Sequence, residues 1–260
     1  MKIVILTQED SFSVPRNIEK LIKLDFVEIL EIVNIDTKSS LVNKRDLFIK
    51  GFGYAQSVKM GLTVIKHKLI NMLDLFFGYK LNIQPRSLKA VAGKYNIPFN
   101  VILNPNEENF ILKMAALSPD IIVSYSAPVV FKDKLLSIPK NSCINLHCSY
   151  LPNYAGVMPS FWTLYKNEKS TGVTVHYMDS KIDNGRILGQ KIVKISSNET
   201  MKTLIEKTKE IGGNVMCDVI KSINDGTLKT KENQMSEGSY FTWPTVEDFK
   251  DFKKNGGRLI

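Results

Sequence analysis

The feature that most limits the folds open to this chain is an alternation of two patterns. Short apolar runs of strand length are separated by stretches whose apolar residues recur at helical spacing. Residues 2–6, Phe26 to Ile35, Pro98 to Leu103, Ile121 to Tyr125 and Cys143 to His147 read as strands. Between them, Ser13 to Ile22 has a Ser cap and an early Pro15, Leu88 to Tyr95 and Glu107 to Leu117 are helical, and Lys132 to Leu136 makes a short helix before Pro139. Strand, helix, strand in succession builds a parallel sheet through right-handed crossovers. Thr171 to Met178 and Arg186 to Ile195 add two more strands, and an amphipathic helix from Thr200 to Ile223 stops at Asp225-Gly226. The expected class is α/β, a mostly parallel twisted sheet flanked by helices.

One segment interrupts the alternation. From Leu41 to Arg86 the chain is rich in lysine and aromatics, and Lys59 to Phe77 places apolar residues at helical spacing with lysines between them. The plain reading is a helix packed on the domain with its basic face in solvent; a membrane-surface contact or a dimer helix are the other readings. With 260 residues, 43% apolar, the chain can bury one full core plus a small appendage. Charged residues at 23% and the absence of low-complexity tracts speak against disorder. The net charge of +9 favours an anionic partner such as nucleic acid, a nucleotide-linked substrate, a polycarboxylate cofactor or an acidic membrane face. Cys143, Cys148 and Cys217 are too few and too irregular for a disulfide framework. The first apolar run is too short for a signal peptide and no stretch is long enough to span a membrane, so a cytoplasmic setting is expected.

Chemistry is expected where Cys143-Ile144-Asn145-Leu146-His147 runs into the turn ending at Pro152, because open α/β sheets place ligands at the carboxyl ends of strands. Asn145 and His147 stand two apart on an extended strand, so both side chains leave the same face. An amide that can donate to a developing oxyanion, beside an imidazole that can carry a proton near neutral pH, suits acyl-type transfer. Asp183, in a Gly-containing loop, could orient the ring and favour its charged form. No Ser or Cys nucleophile is needed if the attacker is the acceptor's own amine. Duller readings stand beside these: a structural histidine at a strand end, Asp183 as turn chemistry before Asn184-Gly185, His67 as a helix-surface residue and His176 as a strand residue. A zinc site at Cys143, Cys148 and His147 is disfavoured by the opposite parity of the two cysteines and the want of a fourth ligand, and no metal is expected.

The pattern Asn145-x-His147-x-Ser149-x-Leu151-Pro152-x-Tyr154-x-Gly156-x-x-Pro159, followed by Thr171-Gly172-Val173-Thr174-Val175-His176-x-Met178-Asp179 and Asp183-x-Gly185-x-Ile187-Leu188, resembles the 10-formyltetrahydrofolate-dependent formyltransferases. The likeness runs from about Pro119 to Gly226. It implies a Rossmann-like formyltransferase domain and N10-formyltetrahydrofolate as co-substrate. In that likeness Asn145 and protonated His147 hold the oxyanion formed when an acceptor amine attacks the formyl carbon, and Asp183 tunes His147 and helps relay the amine's proton. The pterin would lie between the loop Ser126-Ala127-Pro128-Val129 and the loop Asp179-Ser180-Lys181-Ile182, with Ser149 and Pro152 of the motif also assigned to the donor. Where relatives often carry a basic or amide side chain in the first loop, this chain has Ser126 and Ala127.

The resemblance also bears on the acceptor. The tRNA-formylating branch continues into a sizeable β-barrel, whereas the residues after Asp225 read as an aromatic arm, Ser239 to Pro244, and a short helix around Phe249 and Phe252. The glycinamide ribonucleotide branch normally has a Gly-rich phosphate loop after its first strand, and Thr7 to Phe12 has no glycine. The expected division is a catalytic domain over 1–226, with the basic insertion at about 41–86, and an arm over 227–260. The expected acceptor is a nucleoside diphosphate amino sugar on the way to a surface polysaccharide such as lipopolysaccharide, handled by an enzyme that can form a homodimer. The alternatives are a methionyl-tRNA formyltransferase-like enzyme without the barrel, or a non-catalytic folate- or nucleotide-binding module.

Overall fold

The computed structural model describes residues 1–10, 13–37, 49–51, 53–81 and 83–260. The expected insertion falls partly outside these, since residues 41–48 are not among them. In chain order the elements are β1 (Lys2–Thr7), α1 (Val14–Ile22), β2 (Glu28–Ile35), α2 (Tyr54–Phe76), α3 (Leu88–Lys94), β3 (Phe99–Ile102), α4 (Glu108–Leu117), β4 (Ile121–Tyr125), α5 (Asp133–Leu136) and β5 (Cys143–His147). They continue with β6 (Ala155–Gly156), α6 (Pro159–Tyr165), β7 (Ser170–Tyr177), β8 (Ile187–Lys194), α7 (Met201–Asn224), β9 (Tyr240–Phe241) and α8 (Val246–Lys254).

The main sheet has the order β3-β2-β1-β4-β5-β7-β8. The pairings from β3 to β5 are parallel, and β7 is antiparallel to both β5 and β8. The alternating side chains of the central strands feed two separate cores, as strands buried on both faces must. Ile3 and Ile5 of β1, Val123 of β4 and Ile144 and Leu146 of β5 join Ile18, Leu88, Met216 and Ile220 under α1, α3 and α7. Val4, Leu6, Ile122 and Cys143 face the other way and meet Phe110, Met114 and Leu135 of α4 and α5. Each fully buried aliphatic or aromatic side chain contributes on the order of 1.5–3 kcal/mol.

This parity decides the site. Asn145 and His147 share the face of Cys143, opposite Ile144 and Leu146, which are committed to the first core. The strands run out from β1 in one direction to β2 and β3, and in the other to β4 and β5. The crevice where the order reverses opens at the carboxyl ends of β1, β4 and β5, the switch point that ligands occupy in open parallel sheets.

Two expectations need correction. The α2 segment is a helix, but it docks through a polar side, burying His67 and Asp74, and leaves its apolar side in the open, with Leu62, Leu69 and Phe76 exposed at 61%, 52% and 84%. The lysines flank that apolar stripe instead of forming the outer face by themselves. His67 is consequently no surface residue: its Nε2 lies 3.1 Å from Arg86 Nη1. Pro159 to Tyr165 forms a helix, α6, that burial explains: Phe161 and Trp162 pack against Phe249 and Phe252 of α8, Met201 and Leu259.

Candidate active site

β5 delivers Asn145 and His147 to the carboxyl end of the sheet, and the turn that follows is stitched back onto β7. Thr174 Oγ1 donates to Ser149 O at 2.7 Å and accepts from Leu151 N at 3.1 Å, while Gln190 Nε2 donates to Leu151 O and to Thr174 Oγ1. Ser149 Oγ donates to Asn153 O within the turn. These bonds bring Tyr154 O to 2.9 Å from His147 Nε2. A carbonyl can only accept, so that ring nitrogen carries a proton.

The other ring nitrogen of His147, Nδ1, lies 3.4 Å from Asp183 Oδ2, with the two side chains 8% and 9% exposed. Asp183 is held from four directions. Gly156 N donates to Oδ2 at 2.8 Å, Asn233 Nδ2 donates to Asp183 O at 2.8 Å, and His176 Nε2 lies 3.6 Å from Oδ1. The fourth is the contact with His147 Nδ1. Its backbone is left-handed, at φ 51°, and Gly185 two residues on packs against Tyr177 O, where a Cβ would collide. Burial pushes the carboxyl upward, but the neighbouring His147 and His176 and the Gly156 amide outweigh it and hold the acid well below its ordinary 3.8. Asp183 is therefore ionised throughout the neutral range. His147 thus has an acceptor at each ring nitrogen, Tyr154 O at Nε2 and Asp183 Oδ2 at Nδ1.

Asn145 sits directly across the β5–β7 pair from His176, and its Nδ2 is 3.2 Å from His176 Nε2. His176 Nδ1 donates to Tyr177 O at 2.7 Å. Asn145 Oδ1 is buried without a partner, which is costly for an amide oxygen. A half-turn of the amide would exchange its two ends, setting Oδ1 against His176 Nε2 and Nδ2 where Oδ1 now lies. In either orientation His176 is the side chain that fixes how the Asn145 amide is aimed. Sequence reasoning left His176 as a plain strand residue; the signal that could have found it is its place two residues after Thr174, on the face of β7 that meets Asn145.

Beside these residues is a cleft of about 440 Å³. It is lined by Asn145, His147, His176 and Asp183, by Ser126, Ala127, Pro128 and Val129 after β4, and by Met178, Asp179, Lys181 and Ile182 after β7. Ser180 is exposed and does not line it. Ser149 and Pro152 also stand off the cleft: the Ser149 hydroxyl is spent within its turn, and Pro152 O accepts from Ser239 N of the arm. Trp243, after β9, lines the cleft and was not singled out for it by the sequence. Of the sequence-derived residues, the structure thus gathers the three placed in catalysis and seven of the ten placed around the donor.

An anionic carboxylate, an imidazole with two proton positions and an amide donor around one open crevice can stabilise negative charge on a carbonyl oxygen while moving a proton off an attacking group. Known proteins that transfer formyl groups resemble this chain in sequence and in fold. A methionyl-tRNA formyltransferase of Thermodesulfovibrio yellowstonii is 33% identical over 179 residues, 69% of this chain and 58% of that protein; the match leaves roughly two fifths of that relative outside. Among solved structures, an N-formyltransferase of Helicobacter canadensis superposes with a TM-score of 0.63 at 19% identity over 100% of this chain and 84% of its own. Phosphoribosylglycinamide formyltransferase of Streptococcus pneumoniae superposes at 0.58 and 12% identity, over 86% and 99% respectively. Residues 50–220 match the family described as formyl transferase, and the chain belongs to that family.

Proposed function

We propose that this protein transfers a formyl group from N10-formyltetrahydrofolate to the primary amine of a nucleotide-linked amino sugar. The observation that carries the reading is the convergence of Asn145, His147 and ionised Asp183 beside one cleft. The cleft suits the donor. Ala127, Pro128, Val129, Phe131, Met178 and Ile182 offer an apolar slot for a flat ring, and the loops beside it offer backbone hydrogen-bonding groups. The donor supplies a carbonyl carbon bound to a nitrogen that can leave as an amine. The chain's residues do the rest. Asn145 Nδ2 and a protonated His147, whose Nε2–H turns from Tyr154 O to the incoming oxygen, donate to the formyl oxygen as it gains charge. Asp183 holds the charged ring in place and takes part in relaying the proton that the attacking amine loses, directly or through water, to the donor nitrogen as its bond to the formyl carbon breaks. Ionised throughout neutral pH, Asp183 is ready for that role without a further pH trigger.

For the acceptor, the sugar reading is supported by the likeness in fold over the whole chain, arm included, to the Helicobacter canadensis protein, whose complex holds folinic acid and dTDP-3-aminofucose. It is supported too by the +9 charge, which favours a diphosphate. A second reading, the amine of a charged tRNA, is favoured by the named sequence relatives. The test presents purified protein and N10-formyltetrahydrofolate with nucleoside diphosphate amino sugars and with charged initiator tRNA in parallel. Tetrahydrofolate release that depends on an amino sugar supports the proposal. Transfer to tRNA and to no amino sugar refutes the acceptor, and transfer to neither while folate still binds favours a binding module.

A further inference from the structure

The helix α2 carries an apolar face with no partner among the described residues. Tyr54, Val58, Leu62, Ile65, Leu69, Met72 and Phe76 follow at steps of three and four residues, and each is more than half exposed. Leu73, Leu75, Phe77 and Leu81 widen the stripe toward its carboxyl end, where Phe76 and Phe77 meet edge to face. A helix of 23 residues is about 35 Å long. So much open apolar side chain amounts to on the order of 800 Å², beyond the patch a free-standing soluble protein usually shows. The face opposite is fixed to the domain. Asn71 Nδ2 donates to Ser87 Oγ at 3.2 Å, Arg86 N donates to Asn71 Oδ1 at 3.0 Å, and Arg86 Nη1 meets His67. The apolar side is thereby held outward.

Charge decides what covers it. At 100° per residue, Lys59 and Lys66 fall on one edge of the stripe and Lys68 on the other, all exposed. The one acid between Tyr54 and Phe76 is Asp74, which is 4% exposed on the docked side. Two copies packed through this face would bring rows of lysine together with no carboxylate of the helix to pair them. An anionic lipid surface instead takes the apolar side chains into its interfacial layer and pairs every lysine with a headgroup. No helix among the described residues is long and apolar enough to cross a membrane, and a helix fixed along one side has the geometry for lying flat.

We propose that α2 docks the protein onto an anionic membrane surface, with Leu62, Leu69 and Phe76 entering the lipid and Lys59, Lys66 and Lys68 contacting headgroups. The inner edge of α2 reaches the catalytic end of the sheet, because Val64 lines a smaller hollow with Gln8, Ser126 and Lys209, residues that also line the main cleft. Docking would therefore hold the active site next to the lipid. This inference does not depend on which amine accepts the formyl group.

The test is co-sedimentation of the full chain with vesicles of phosphatidylcholine alone or mixed with phosphatidylglycerol. Binding to the anionic vesicles at least tenfold tighter than to neutral ones is expected. The triple substitution Lys59→Gln, Lys66→Gln, Lys68→Gln should weaken it roughly 100-fold, and Leu69→Asp with Phe76→Asp should abolish it while the melting temperature and folate-analogue binding stay as in the wild type. Absence of wild-type binding to anionic vesicles overturns the proposal, as does equal binding by both variants. So does a stable dimer in light scattering that ignores vesicles and is split by Leu69→Asp.

Discussion

Replacing Asp183 with Asn isolates the electrostatic part of the site from its architecture. The two side chains have nearly the same shape, and an amide that sets its oxygen where Oδ2 lies keeps the 2.8 Å bond from Gly156 N; the backbone bond from Asn233 to Asp183 O is untouched. What disappears is a unit negative charge 3.4 Å from His147 Nδ1. With the ring protonated, that charge is worth about 5 kcal/mol at an effective dielectric of about 20, and the carboxamide dipole recovers part of it. The expected loss in kcat is about 10³-fold, within the range of a positioned acid–base group. The assay is tetrahydrofolate release at saturating donor and acceptor, with affinity for a folate analogue measured separately and expected to change little. Stability supplies a second readout. An acid held below its ordinary 3.8 stabilises the fold above that pH and loses the contribution as pH falls toward its folded value. The gap in melting temperature between wild type and Asp183→Asn should therefore be full at neutral pH and narrow below about pH 4. Asp183→Asn with kcat within tenfold of the wild type, or a gap that does not vary with pH, would refute the charge-based account of the site.

Two further outcomes follow from the same geometry. His147→Ala should abolish turnover while folate-analogue binding persists, since the ring hydrogen-bonds to Tyr154 O and faces Asp183; retained turnover in that variant places the proton work elsewhere. Gly156→Ala should reduce both activity and stability, because Gly156 has φ 95° and a Cβ there would run into Phe241 O of β9; a variant that melts and turns over like the wild type would show that the β6–β9 contact does not set the position of Asp183.

The sheet was legible because β1, β4 and the start of β5 are nearly uninterrupted apolar runs and β7 alternates in period two, and the strand ends fall within a residue or two of the observed ones. Asn145 and His147 were legible for the same reason: a polar pair at even spacing breaks an otherwise apolar strand. Asp183 needed the resemblance, since a lone Asp before Asn184-Gly185 is also ordinary turn chemistry. His176 was missed because its role depends on the antiparallel register of β5 and β7, which no local pattern encodes. The two-residue pair β6–β9 is too short to leave a periodic signal. For α2, helical spacing was legible, but which side would dock was not. Its docked side is polar, chosen by Arg86, Ser87, His67 and Asn71, so the usual inference that the apolar stripe faces inward failed.

The residues after Gly226 belong to the site's construction more closely than an appended arm would. Lys231 pairs with Ile187 at the start of β8, and Asn233 fixes the loop that presents Asp183. β9 then pairs with β6 and so positions Gly156, whose N–H holds the same carboxylate. Trp162 Nε1 donates to Thr242 O, Trp162 stacks on Phe241, and Trp243 reaches the cleft. Farther on, Phe249 and Phe252 fill the hydrophobic cluster beneath α6. The arm thus supports the Asp183 carboxylate from two directions and also supplies a large aromatic to the cavity. A change in its sequence would therefore alter the support of Asp183 and the shape of the cleft together. Under the mechanism proposed above, the part of the chain that shapes the cleft also positions the carboxylate that handles the amine's proton.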